Sequence, residues 1–169
     1  MGYIFKGVIM NNKCLLFIFL FIFSTVLSAS PKFGIAASTV DGIGFGIVED
    51  VYEARLLLNT YSNDAQNKDS LVYMTANFDY KMAMTEDSAF SIGLRYNVTS
   101  GKNNDVDVDT VNEIGLALGI HHMLETNICL SAHVDLYQLR TDKWSSSDTE
   151  VKSTYIGGRD GRMGILVLF

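Results

Sequence analysis

Residues 127 to 138, NICLSAHVDLYQ, set Ser131, His133 and Asp135 at every second position, the three side-chain types of a hydrolytic triad. A nucleophile and its base must come within about 3 Å of each other. The alternation with Ile128, Leu130, Ala132, Val134 and Leu136 is that of a β-strand. Neighbours on one strand face stand roughly 6.5 to 7 Å apart, so these residues cannot form a triad along their own strand. A neighbouring strand leaves a dyad of His133 with Asp135 or Asp160 open, but a histidine satisfied by other polar groups is the expectation. His121, His122 and His133 fall at different depths or on different faces, so no zinc site is expected. Asp105, Asp107 and Asp109 in NNDVDVDTVNE invite a calcium reading. An EF-hand loop needs glycine at its sixth position and glutamate at its twelfth, where this chain has Thr110 and Leu116. A solvated acidic loop is expected there, with no metal and no cofactor.

The elements that must position these residues are strands. From residue 33 onward the dominant period is two, and helical spacing is nowhere sustained. In AFSIGLRYNVT, Phe90, Ile92, Leu94, Tyr96 and Val98 share one face, and Ser91, Gly93, Arg95 and Asn97 lie on the other. LVYMTANFDYKM and EIGLALGIH repeat the pattern, whereas in YEARLLLNT Leu57 falls on the face of Glu53, Arg55 and Asn59. Long polar stretches at 62–69, 100–109 and 141–152 alternate with short ones at 49–51, 84–87 and 125–127. That order describes an all-β meander tightly turned at one end and carrying its excursions at the other. The one proline, Pro31, precedes the first strand, as expected if later backbone amides join ladders.

The only strong composition break lies near residue 30. Before it, Lys6 and Lys13 precede the apolar run CLLFIFLFIFSTVL, and Ser28, Ala29 and Ser30 follow. This arrangement reads as a secretory signal peptide over residues 1–30, leaving one domain over 31–169. Beyond residue 30 lie all 19 acids but only 11 of the 13 bases, a formal charge of −8. With no basic cluster among aromatics, nucleic acid is excluded as an expected partner. Cys129 is then the only cysteine left, so no internal disulfide is available.

Alternation alone does not say which face is wet, and a soluble lipocalin-like barrel with an apolar interior is the rival to a membrane barrel. The polar face is rich in small residues, including Ser91, Gly93, Gly115, Ala117, Gly119 and Ser131. These suit a crowded lumen better than a solvated exterior. The closing RMGILVLF resembles the C-terminal assembly signal of bacterial outer-membrane barrels, with Arg162, Gly164, Val167 and the terminal Phe169 in the matching positions. At the level of pattern the whole segment after residue 30 resembles the small eight-stranded outer-membrane proteins, the OmpA-barrel, OmpX and opacity-protein class. The resemblance implies an eight-stranded antiparallel up-and-down transmembrane β-barrel in the outer membrane of a Gram-negative bacterium. Its partners would be membrane lipid, lipopolysaccharide and the barrel-assembly machinery, and the protein would be a monomer. Placing Phe169 at the periplasmic boundary puts every long polar stretch outside. Strands are expected over 43–49, 52–61, 70–82, 89–99, 110–123, 127–141 and 154–169. An eighth, 33–40, joins through an Asp41-Gly42 hairpin turn.

Turning the polar faces inward gathers Glu53, Arg55, Asp79, Lys81, Arg95, Glu113, Asp135, Arg140, Asp160 and Arg162 in the lumen. An eight-stranded barrel is just wide enough to be filled by side chains, and buried charges require partners. Centring the long loops on about residues 104 and 147 puts Arg95 near Glu113, and His133 and Asp135 near Asp160 and Arg162. A salt-bridged plug is expected, with a structural role or contacts to a surface or host ligand through the outer loops. The alternatives are a narrow pore, an enzyme modifying outer-leaflet lipid through His133 and Asp135, and the soluble binding barrel.

Overall fold

The computed structural model describes residues 31–63, 69–103, 106–144, 147–157 and 161–169. Among the described residues there are nine antiparallel strands: β1 (Lys32–Ser38), β2 (Gly42–Val48), β3 (Tyr52–Asn63), β4 (Asp69–Ala83), β5 (Ser88–Asn103), β6 (Val106–Glu125), β7 (Ile128–Trp144), β8 (Ser147–Ile156) and β9 (Gly161–Leu168). Each of β1 to β7 pairs with the next in sequence, and β9 returns to β1. The last two strands share one neighbour, because Tyr137–Trp144 of β7 faces β8 while Ile128–Val134 faces β9. They are the two halves of one stave, and the sheet closes as an eight-stranded up-and-down barrel. The single strand expected over 154–169 is thus broken. Gly157, at φ 98°, ends β8 and donates its N–H to the Leu136 carbonyl at 2.8 Å.

The polarity of the barrel is inverted relative to a soluble one. Phe45, Leu56, Met74, Ile92, Leu94, Ile114, Ile120 and Val167 point outward and are each 40% or more exposed. Glu53, Arg55, Asp79, Arg95, Asp135 and Arg162 point inward and are buried. Leu57, which breaks the alternation of β3, lies inside with Ala36, Cys129, Leu166 and Leu168, backed by Val48 and Met123. This apolar cluster is drawn from β1, β3, β7 and β9.

Two of the long polar stretches, 100–109 and 141–152, are mostly strand rather than loop. β5 runs to Asn103, β6 starts at Val106, β7 runs to Trp144 and β8 starts at Ser147. A ladder is held by backbone hydrogen bonds, and it continues past the apolar band whatever the side chains are. The expected hairpin at Asp41-Gly42 is present, with Gly42 at φ 92°, where glycine carries no Cβ penalty.

That hairpin is short. β1 and β2 have seven residues each against 15 to 20 in β4 to β7, so the Thr39–Asp41 turn lies well below the rim of its neighbours. Its polar groups are satisfied locally, as a low-dielectric setting demands. Thr39 N–H donates to the Met163 carbonyl at 2.9 Å, Asn59 Nδ2 donates to the Val40 carbonyl at 3.0 Å, and Asp41 N–H donates to Ser38 Oγ at 3.2 Å. Above the turn, among the described residues, 59–63 of β3 ladder only with β4, and β8 ladders only with β7. The wall is notched there.

Candidate functional site

Across the middle of the lumen two arginines and two aspartates interlock. Arg162 holds Asp135 with both terminal nitrogens, at 2.8 and 2.7 Å, and Arg95 Nη1 reaches the same carboxylate at 2.5 Å. Gln138 Nε2 adds a fourth donor at 2.8 Å. Asp41 enters from the low hairpin turn: Arg95 Nη2 lies 3.1 Å from its Oδ1, Arg162 Nε 3.6 Å from its Oδ2, and Thr75 and Ser38 donate their hydroxyls to it at 3.2 and 3.0 Å. Paired Arg–carboxylate contacts of this kind fix geometry as well as charge. Nearer the short turns, Arg55 pairs with Glu53. Nearer the long ends, Arg140 pairs with Asp142 at 2.8 Å and with Glu113 at 3.3 Å.

Small residues make the room. A Cβ on Gly119 would stand 2.5 Å from both His133 Cδ2 and Ser91 Oγ, and one on Gly93 would run into the Asp79 carboxylate. The Gly93, Ala117 and Asp135 positions align laterally across β5, β6 and β7. Glycine and alanine on two strands thus let large charged side chains from their neighbours fill the centre.

A bulge decides which residues of β7 take part. Leu116 pairs with Tyr137 and Ala117 with Asp135, leaving Leu136 unpaired. The bulge turns Gln138, Arg140 and Asp142 into the lumen, although strict alternation from Ser131 would send them out. A second irregularity corrects an expected pair. The register shift between Thr99 and Gly101 sets Arg95 opposite Gly115 and gives Glu113 to Asn97, whose Nδ2 donates to it at 3.1 Å. Arg95 therefore turns to Asp135 and Asp41 rather than to Glu113.

The three residues of the sequence triad have separate partners. Ser131 Oγ donates to the Gly164 carbonyl at 3.5 Å, His133 Nε2 lies 3.3 Å from Asp79 Oδ2, and Asp135 is held by the arginines. His122 points outward beside Ser88 Oγ, at 2.9 Å from its Nδ1. The expectation that the histidines lie apart is corrected for His121 and His133. The 125–127 turn pairs His121 with Ser131 and Gly119 with His133, making the two rings diagonal neighbours on adjacent strands, with centroids 5.0 Å apart. Strand-to-strand register, invisible along one strand, sets their depth.

Asp105 and Asp160 lie outside the described residues, and Asp107 and Asp109 are described only as backbone of β6. Lys81 is half-buried on the lumen face, while Gly164 and Arg162 face the lumen and Val167 and Phe169 face out. Above the central network a cavity of about 490 Å³, lined among others by Asn59, Tyr61, Tyr73, Arg95 and Arg140, extends toward the long ends of the strands. Sequence reading missed Asp41, Thr75 and Gln138 as members of the network. The signal for Asp41 was the Asp-Gly turn between two strands too short to reach the rim.

No protein-family model matches the sequence, and no curated protein does. Among solved structures, the chain is similar to Neisserial surface protein A (NspA), at 15% identity over 82% of this chain and 94% of that one, with a TM-score of 0.46. It is also similar to a major outer membrane protein from Thermus thermophilus, at 16% identity over 83% and 100%, TM-score 0.41. A third is CarO of Acinetobacter baumannii, at 12% identity over 83% and 98%, TM-score 0.34.

Proposed function

We propose that the chain is an outer-membrane barrel of a Gram-negative envelope, exported by its first 30 residues and inserted by the barrel-assembly machinery. Its role is structural or one of surface contact, and its lumen is closed by ion pairs. The carrying observation is the inverted polarity: a belt of exposed Phe, Leu, Ile, Met and Val encircles a lumen of buried, interlocked charges. Exposed apolar area on this scale is unfavourable in water and favourable against lipid. The strands of 15 to 20 residues exceed the 9–11 or so that cross the hydrocarbon. Their surplus carries polar residues beyond the membrane, where they can meet lipopolysaccharide or a host surface.

Electrophoresis in SDS of the outer-membrane fraction tests the reading. A folded membrane barrel resists SDS until boiled, so unboiled protein should run at a different position from boiled. Recovery in the soluble periplasmic fraction with no shift would overturn it. In planar bilayers the heat-modifiable protein should be electrically silent, and steady single-channel steps would overturn the closed lumen.

A further inference from the structure

Among the described residues four carboxylates are buried in the lumen, those of Asp41, Glu53, Asp79 and Asp135, against three arginines, Arg55, Arg95 and Arg162. Three of the four have an arginine partner. Asp79, 3% exposed, does not: among the described residues its one ionic neighbour is His133. Lys81, two positions along the same face, is half-buried. A buried anion without a full counter-charge is costly, and the place around Asp79 is built to receive a cation. Asp79, His121 and His133 each present a ligand atom, all within 4.8 Å of one another.

The contact between Asp79 and His133 has the spacing of two ligands on one metal. Asp79 Oδ2 and His133 Nε2 are buried, make no hydrogen bond, and stand 3.3 Å apart. Zinc bonds of about 2.0–2.1 Å in a tetrahedron put neighbouring ligand atoms roughly 3.3 Å apart. Behind the third ligand, Glu53 Oε2 lies 3.2 Å from His121 Nδ1. A carboxylate on the far nitrogen is the outer-shell support that orients metal-binding histidines. It leaves His121 Nε2, now 2.9 Å from Ser91 Oγ, to turn to the metal as that hydroxyl rotates away. Gly93 and Gly119 keep the space clear, since a Cβ on either would strike Asp79 or His133.

We propose that Asp79, His121 and His133 bind a zinc-class divalent cation in the lumen, with a fourth position open to water. The site would fix β4, β6 and β7 together through the centre of the barrel. A second triad, Glu53, His121 and Cys129, shares His121. Cys129 Sγ, however, lies 3.9 Å from Glu53 Oε2 and within the apolar cluster, and Glu53 is already paired with Arg55.

The test uses the full folded protein in detergent, stripped with chelator, reloaded with zinc chloride and dialysed, with metal content read by atomic emission. One zinc per chain is expected, lost in Asp79→Asn and His133→Gln, weakened about tenfold in Glu53→Gln, and retained in Cys129→Ser. Each variant's SDS mobility shift reports its folding. If variants fail to fold, cobalt loading of the parent protein decides: a tetrahedral visible spectrum without a thiolate charge-transfer band supports the site. Absence of bound metal, equal retention in Asp79→Asn and His133→Gln, or a thiolate band with loss in Cys129→Ser would overturn it.

Discussion

Asp135 accepts from Arg95, Arg162 and Gln138 while 1% exposed, so its removal leaves two buried guanidinium groups to share Asp41. Asp135→Ala should cost about 3–5 kcal/mol, the range for breaking a buried pair from one side, read as a lower urea midpoint for loss of the SDS-resistant band. An unchanged midpoint would mean that water already serves these arginines. Gly119→Val tests the packing side of the same centre. Its side chain would collide with His133 and Ser91, and overpacking should cost about 1–3 kcal/mol in the same assay. At this scale much was legible. Small residues on the polar faces signalled a crowded interior, and the acids and bases sharing those faces signalled pairing. The identity of the central pairs was not legible, because they join residues 27 to 121 positions apart in sequence and a shift of two residues exchanges partners.

Irregularities in the strands chose those partners. The unpaired Leu136 divides β7 into a stretch with odd-numbered residues inside and one with even-numbered residues inside. Deleting Leu136 should join Asp135 and Tyr137 as consecutive ladder residues and leave Gln138, Arg140 and Asp142 inside. We expect the variant to keep its heat-modifiable band, and loss of the band would show that the bulge itself is needed for the barrel to close. The shift at Thr99–Gly101 has the same standing: it moves the β5–β6 register by one residue, and Glu113 falls opposite Asn97 instead of Arg95. A bulge leaves little trace in composition, whereas the Asp41-Gly42 turn was legible because glycine there answers a positive φ.

For the whole molecule, the low first hairpin makes the wall uneven. Among the described residues, β8 and 59–63 of β3 each keep one open ladder edge beside the notch. Hydrogen exchange of the folded barrel should therefore be fast at alternate amides of these segments and slow in the apolar-band stretches of β4, β5 and β6, which are paired on both sides. Uniform protection across β8 would mean that another strand or chain covers its edge. The same unevenness explains why Asp41, a turn residue, reaches the central ion pairs instead of the rim.

Periodicity, small-residue placement and the spacing of turns determined an all-β meander, its inside and outside faces, and which charges share the interior. These are properties of consecutive residues, written at period two by the pleat. Tertiary structure decided the depth at which each charge sits, the joining of Asp41 to Arg95 and Arg162, and the meeting of Asp79, His121 and His133. Those depend on stagger between strands, on two bulges and on closure of β9 against β1, each set by contacts between residues far apart in the chain.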